Sequence, residues 1–279
     1  MKVGLTAGQY KQFQDLLVKT SGIVLKANQT YLIENRLASL LRDLGLTNFD
    51  DLLNMIPGQA KIAEQIVDLM TTNETLWFRD KSCWETVEKI CIPKLVEKLE
   101  GGQQRVNIWS AASSTGQEAY SLSILIHEYL GARFKNSLLS RFNIIGTDIS
   151  PTVIAKARLG EYDSFSLSRG MSKPKADNYF TGVGDIFTIK DEIKKMVVFK
   201  DFNLMNNFSL LGRFDLILCR NVLIYFSDET KTDILNRMAN NLTPEGIVVL
   251  GATESTYGMP VNLVNNTEGT GLYLTSKVL

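Results

Sequence analysis

The sequence predicts an α/β protein: a doubly wound domain behind an N-terminal all-α domain. Three observations point there. A chain of 279 residues, 44% of them hydrophobic, can bury a sizeable core and exceeds one average domain. Residues 1–75 show helical periodicity and no convincing strand, with turn residues at Gly22, Gly45 and Pro57-Gly58. From Gln104 onward, short β-branched runs alternate with helical segments, the pattern of a parallel sheet covered by helices.

In the helical part, Ile33, Leu37, Leu40, Leu41 and Leu44 share one face of a helix over Thr30 to Leu44. Asn35, Arg36, Ser39 and Arg42 fall toward the other face. Arg36 and Arg42 therefore make a candidate docking face for an acidic partner, although most such charge is simply solvated.

In the second part, residues 76–279, strands are expected at Val106–Ser110, Phe142–Thr147, Val197–Phe202, Phe214–Cys219 and Ile247–Gly251. Helices are expected near Gln117–Leu130, Pro151–Leu159 and Asp228–Leu242, and final strands at Asn262–Asn266 and Leu272–Val278. The stretch at about 161–196 is too long for a simple connection. It reads as a small inserted β subdomain.

Composition narrows the function. Thirty Lys and Arg against thirty Asp and Glu leave no net charge, which disfavours a nucleic-acid partner. No apolar stretch is long enough to span a membrane, and Met1-Lys2-Val3-Gly4 opens without a signal-peptide core. A cytoplasmic protein without membrane insertion is expected. Cys83, Cys91 and Cys219 lack the pairing of a disulfide framework or zinc site and read as buried thiols. The single His127 has no plausible ligand partners, so no metal is expected.

In doubly wound sheets, ligands bind beyond the carboxyl ends of the strands. After the first strand, Ala111-Ala112-Ser113-Ser114-Thr115-Gly116-Gln117-Glu118 offers small residues that admit a ligand close to the backbone and then open a helix. It lacks the G-x-G-x-x-G fingerprint, so a dinucleotide is disfavoured. After the second strand, Asp148 can accept hydrogen bonds from vicinal ribose hydroxyls, or cap the helix that begins at Pro151. Asn203-Leu204 suits an adenine edge and face, or an ordinary turn. Arg220-Asn221-Val222-Leu223-Ile224-Tyr225-Phe226 mixes polar and apolar residues where a purely structural strand end needs neither Arg nor Tyr.

Thr72-Asn73-Glu74-Thr75-Leu76-Trp77-Phe78-Arg79-Asp80, the Ala112-to-Ser121 loop and Cys219-to-Phe226 together resemble the CheR family of chemotaxis receptor methyltransferases. Ala155-to-Tyr162, Tyr179-Phe180, Leu242-to-Gly246 and Gly251-Ala252-Thr253-Glu254-Ser255 extend the likeness over nearly the whole chain. The resemblance implies a Rossmann-like S-adenosylmethionine methyltransferase domain with a small inserted β subdomain, behind the helical domain. It implies methyl esterification of glutamates on the cytoplasmic domains of chemotaxis receptors, leaving S-adenosylhomocysteine as product.

Carried over by motif position, the resemblance assigns Asn73, Thr75, Arg79, Glu118, Asp148, Asn203, Leu204, Asn221 and Val222 to the cofactor. Arg79 and Tyr225 fall nearest the transferred methyl group and are the catalytic candidates. Two residues depart from the family pattern: Ala119 stands where a proline is usual, and Trp77 replaces the commoner phenylalanine. Receptor docking is expected through Arg36, Arg42 and the inserted subdomain. A nucleic-acid methyltransferase is disfavoured by the absence of an Asn-Pro-Pro-Tyr or Asp-Pro-Pro-Tyr segment. Retention of Arg79 and Tyr225 argues against a non-catalytic cofactor-binding regulator.

Overall fold

The computed structural model describes residues 4–26, 29–266 and 273–276. The opening Met1-Lys2-Val3 and, of the last expected strand, Leu272, Lys277 and Val278 lie outside these residues. The chain divides into two compact units, one running to Thr72 and taking in Tyr225–Thr230, the other comprising Asn73–Ile224 and Lys231–Leu279.

The helical unit contains α1 (Ala7–Ser21), α2 (Thr30–Asp43), α3 (Phe49–Met55) and α4 (Ala60–Met70). A capping box starts α1: Thr6 Oγ1 accepts from the Gln9 amide and Gln9 Oε1 from the Thr6 amide, so two otherwise unpaired donors are satisfied. Gly22 ends the helix in the left-handed region at φ 73°, where lack of a Cβ removes the steric cost. Phe13, Leu17, Ile33, Leu37, Phe49, Leu52 and Ile66 form the core, with the Phe13 and Phe49 rings edge to face at 5.9 Å.

The apolar face expected on α2 is buried at Ile33, Leu37, Leu40 and Leu41. Its two arginines differ in surroundings. Arg42 is exposed, but Arg36 is half-buried and donates to the carbonyls of Met70 (2.6 Å) and Thr71 (2.9 Å) and to Thr72 Oγ1 (3.1 Å). Its guanidinium satisfies carbonyls that the end of α4 leaves without helical partners. Arg36 is thus a structural tie as well as a half-exposed cation, and Arg42 is the more open of the two.

The second unit begins with α5 (Lys81–Thr86), a π-helical turn over Val87–Cys91 and α6 (Ile92–Glu100). Then follow β1 (Val106–Ala111), α7 (Gln117–Gly131), β2 (Phe142–Asp148) and α8 (Pro151–Leu159). The insertion carries β3 (Glu161–Asp163), α9 (Ser164–Ser168), α10 (Lys173–Tyr179), β4 (Phe180–Val183) and β5 (Ile186–Ile189). The main fold resumes with α11 (Asp191–Lys194), β6 (Val197–Asp201), β7 (Phe214–Cys219), α12 (Asp228–Asn240), β8 (Leu242–Leu250), β9 (Leu263–Asn266) and β10 (Tyr273–Ser276).

Among the described residues the large sheet has the order β6-β2-β1-β7-β8-β10-β9. The pairs from β6 through β8 are parallel, with Ala111 opposite both Thr147 and Cys219. The chain moves outward from β1 to β2 and β6, then returns to β7 on the other side of β1, so the strand order reverses there. A crevice at that reversal is where such sheets bind ligands. At the far edge β10 runs antiparallel to β8 and β9, which makes the sheet mixed. The insertion folds as a separate antiparallel sheet in the order β3-β5-β4.

Candidate active site

The expected cofactor residues of the second unit fall at the carboxyl ends of β1, β2, β6 and β7 or on the segment leading into α5. The loop after β1 turns sharply, with Ala112 at φ 57°, Ser114 at φ 49° and Gly116 at φ 95°. A Cβ on Gly116 would lie 3.0 Å from the Phe199 ring and 3.1 Å from the Ala157 methyl, so the close approach of α7 to α8 and β6 requires glycine. The Ser113 amide donates to the Thr147 carbonyl at 2.7 Å.

Asp148, ending β2, is buried. Its Oδ2 accepts from the Ser114 amide at 2.8 Å and its Oδ1 from the Ser150 amide at 3.0 Å. The carboxylate thus ties the loop after β1 to the turn that leads into α8. The sequence offered Asp148 either as a ribose acceptor or as a cap for α8. The capping oxygen proves to be that of Ser150, which accepts from the Val153 amide.

Glu118 lies in the first turn of α7. Its Oε1 accepts from Ser110 Oγ at 2.8 Å, and its Oε2 pairs with Arg220 Nη1 at 2.9 Å. Burial pushes the Glu118 carboxyl up, and the Arg220 charge and Ser110 hydroxyl only partly oppose this. Arg220, whose side chain is 2% exposed, also reaches Asp80 Oδ2 at 3.4 Å, donates to the Arg79 carbonyl and lies over the Trp84 ring. Two carboxylates, a carbonyl and an aromatic face thus compensate a cation that would otherwise be costly to bury.

Beyond β6, Asn203 Oδ1 accepts from the Met205 amide at 2.9 Å, an Asx turn that leaves Leu204 buried beside it. Beyond β7, Asn221 takes a left-handed conformation at φ 58°. The carbonyl of Tyr225 accepts from the Val24 amide at 2.9 Å, which groups Tyr225 with the helical unit rather than with the strand it follows.

The segment that carries Asn73, Thr75 and Arg79 is pinned by the insertion. Trp77, 1% exposed, meets Tyr162 at 4.9 Å and Phe180 at 5.3 Å, both edge to face. Its amide donates to the Arg169 carbonyl at 3.1 Å, and Glu74 pairs with Arg169 at 2.7 Å. A Cβ on Gly170, at φ 99°, would stand 2.0 Å from the Trp77 carbonyl oxygen. The carbonyl of Asn73 accepts from Ser114 Oγ at 2.8 Å, joining this segment to the β1 loop. Arg79 Nη1 donates to the Glu74 carbonyl at 3.2 Å.

Sequence reasoning named no counter-ion set for Arg220 and gave Glu254 no site role. The available signal was an arginine placed directly after the apolar run Phe214-Asp215-Leu216-Ile217-Leu218-Cys219, since a buried cation demands carboxylates nearby. Among the described residues no group of three or more His, Cys, Asp or Glu side chains is placed to hold a metal. His127 instead packs its ring edge-on to Tyr179 at 5.8 Å. All three cysteines are buried and free. No helix among these residues is long and apolar enough to cross a membrane.

A doubly wound sheet whose strand ends gather two largely buried carboxylates, Asp148 and Glu118, and a tight small-residue loop has the form of a nucleotide-type cofactor domain. Residues 73–269 match the S-adenosylmethionine binding domain of the CheR methyltransferases, and residues 8–71 match their all-α domain. The chain is 40% identical to the chemotaxis protein methyltransferase Cher2 of Pseudomonas putida, over 90% of this chain and 91% of that protein. It is 41% identical to chemotaxis protein methyltransferase 1 of Vibrio cholerae, over 90% of each chain. A chemotaxis protein methyltransferase of Borreliella burgdorferi is 32% identical over 92% of each. The chain belongs to the CheR methyltransferase family and uses S-adenosylmethionine as cofactor.

Proposed function

We propose that this protein esterifies glutamate side chains on the cytoplasmic domains of methyl-accepting chemotaxis receptors, acting in the cytoplasm during sensory adaptation. The observation that carries this reading is that relatives matching 90% of the chain are named chemotaxis protein methyltransferases. The strand-end cradle supports it with residues of suitable chemistry.

The cofactor supplies an electrophilic methyl group on a sulfonium. Asp148 would receive the ribose hydroxyls, Glu118 the positively charged amino group, and Asn203 with Leu204 the adenine edge and face. Asn73, Thr75, Asn221 and Val222 would complete the pocket walls. The substrate needs no general base, because a glutamate with a reference pKa of about 4.3 is already ionised at neutral pH. What the protein must contribute is orientation and exclusion of water. Arg79 would orient carboxylates through its planar fork, and Tyr225 would donate one hydrogen bond to the reacting group.

Incubation with methyl-labelled cofactor and receptor cytoplasmic fragments tests the reading. Base-labile label on receptor protein is expected. Base-stable label, or label on nucleic acid alone, would overturn it.

A further inference from the structure

Glu254 follows β8 and is 8% exposed, yet neither the helix-capping nor the ion-pair chemistry of the site accounts for it. Its Oε2 accepts from the amides of Asn221 (2.8 Å) and Gly251 (2.9 Å), and its Oε1 from those of Val222 (3.1 Å) and Leu223 (2.8 Å). Three successive amides and one from the neighbouring strand end thus form an anion-binding nest around a single side chain. A carboxylate offers about four acceptor positions. Four donors fill them, so Glu254 has no capacity left to bind substrate or accept its proton.

The surrounding backbone is shaped around this arrangement. Asn221 occupies the left-handed region, which non-glycine residues visit sparingly. A Cβ at Gly251 would lie 2.8 Å from Glu254 Oε2 and 3.0 Å from both Asn221 N and Asn221 Nδ2. The ends of β7 and β8, paired at Cys219 and Leu250, are therefore locked together through one side chain.

We propose that Glu254 is a positioning residue of the cofactor site, holding Asn221 and Val222 in the conformation that receives the cofactor. The proposal rests on the assignment of Asn221 and Val222 to that cofactor. Glu254→Gln keeps the shape but turns an amide NH2 toward two backbone donors. It should weaken S-adenosylhomocysteine binding about tenfold, the equivalent of one hydrogen bond. The cofactor KM should rise more than kcat falls, since the nest acts on binding rather than on the reacting atoms.

A purely structural role is separated by a double-mutant cycle read by calorimetry. If Glu254 acts through Asn221, Asn221→Ala with Glu254→Gln should bind no more weakly than the weaker single variant. Combined with Asp148→Ala, the losses should add. If Glu254→Gln does not fold, Gly251→Ala, whose new methyl displaces the same carboxylate, should show the same loss. Wild-type affinity in a folded Glu254→Gln or Gly251→Ala variant, or a full additional loss in the Asn221→Ala background, would overturn the positioning role alone. Wild-type affinity in Asn221→Ala would withdraw the cofactor assignment and the proposal with it.

Discussion

The amide of Ser114 donates to Asp148 Oδ2 at 2.8 Å, so the carboxylate ending β2 also fixes the loop that follows β1. In the proposed role as ribose acceptor, Asp148 would be oriented before ligand arrives, and preorganisation lowers the entropy lost on binding. Asp148→Ala should weaken S-adenosylhomocysteine binding by about 1–3 kcal/mol, because the hydroxyls it would receive are left unpaired. Calorimetry on a folded variant checks this; an unchanged dissociation constant would remove Asp148 from the site.

Asp215 predicts the acid limb of stability. Its side chain is fully buried and accepts from the Asn107 amide and from Gln103, Thr243 and Lys98. Burial pushes its carboxyl up, but these donors more than offset that, and the net direction is down. A depressed folded value means the contribution is complete above about 3.9, the unfolded reference, and is lost as pH falls through the folded value. Asp215→Asn should cost about 3 kcal/mol near neutrality. In urea titrations the gap between variant and wild type should close as pH drops below about 4. A gap independent of pH would show that Asp215 contributes shape rather than charge.

Arg36 and Arg42, read together in the sequence, should separate in experiment. Arg36→Ala removes donors from the end of α4 and should lower stability by about 1–2 kcal/mol. Arg42→Glu, on an exposed position, should leave stability within about 0.5 kcal/mol and raise the receptor Michaelis constant at low salt, an effect that fades as salt increases. Methylation at the wild-type Michaelis constant in low salt would reduce Arg42 to solvated charge.

In its proposed role Tyr225 should act on turnover more than on cofactor affinity, because a hydrogen bond to the reacting group would strengthen as the methyl moves. Tyr225→Phe isolates that hydroxyl and should slow single-turnover methylation about tenfold, the worth of one hydrogen bond at the transition state. Arg79→Ala should lower both affinity and rate. A wild-type single-turnover rate in Tyr225→Phe would return the residue to a packing role.

Much of this fold was legible because its central strands are short, largely apolar runs: Phe142–Asp148 and Phe214–Cys219 match the expected spans to within one residue. Asp148 stands at the end of β2 and Asn203 just beyond that of β6, as the strand pattern expected, and their part in the site is a proposal. What escaped was long-range pairing. Arg220 meets Glu118 across 102 residues and Glu254 meets Asn221 across 33, and no local pattern encodes either. The strand expected from Ile247 begins five residues earlier, at Leu242, and absorbs Glu245 at φ 60° beside a register shift. Such an irregularity preserves strand pairing where local composition opposes it. The hydrogen bonds of Arg36 were not legible either, because helical spacing reports which face a side chain leaves from, not which carbonyls a long side chain can reach.

The central claim is tested most directly by mass spectrometry of receptor cytoplasmic fragments after incubation with the protein and S-adenosylmethionine. The account predicts a gain of one methylene on glutamate residues, absent without cofactor and reversed by mild base. Modification of a nitrogen-bearing side chain, or a mass gain that survives base, would contradict it.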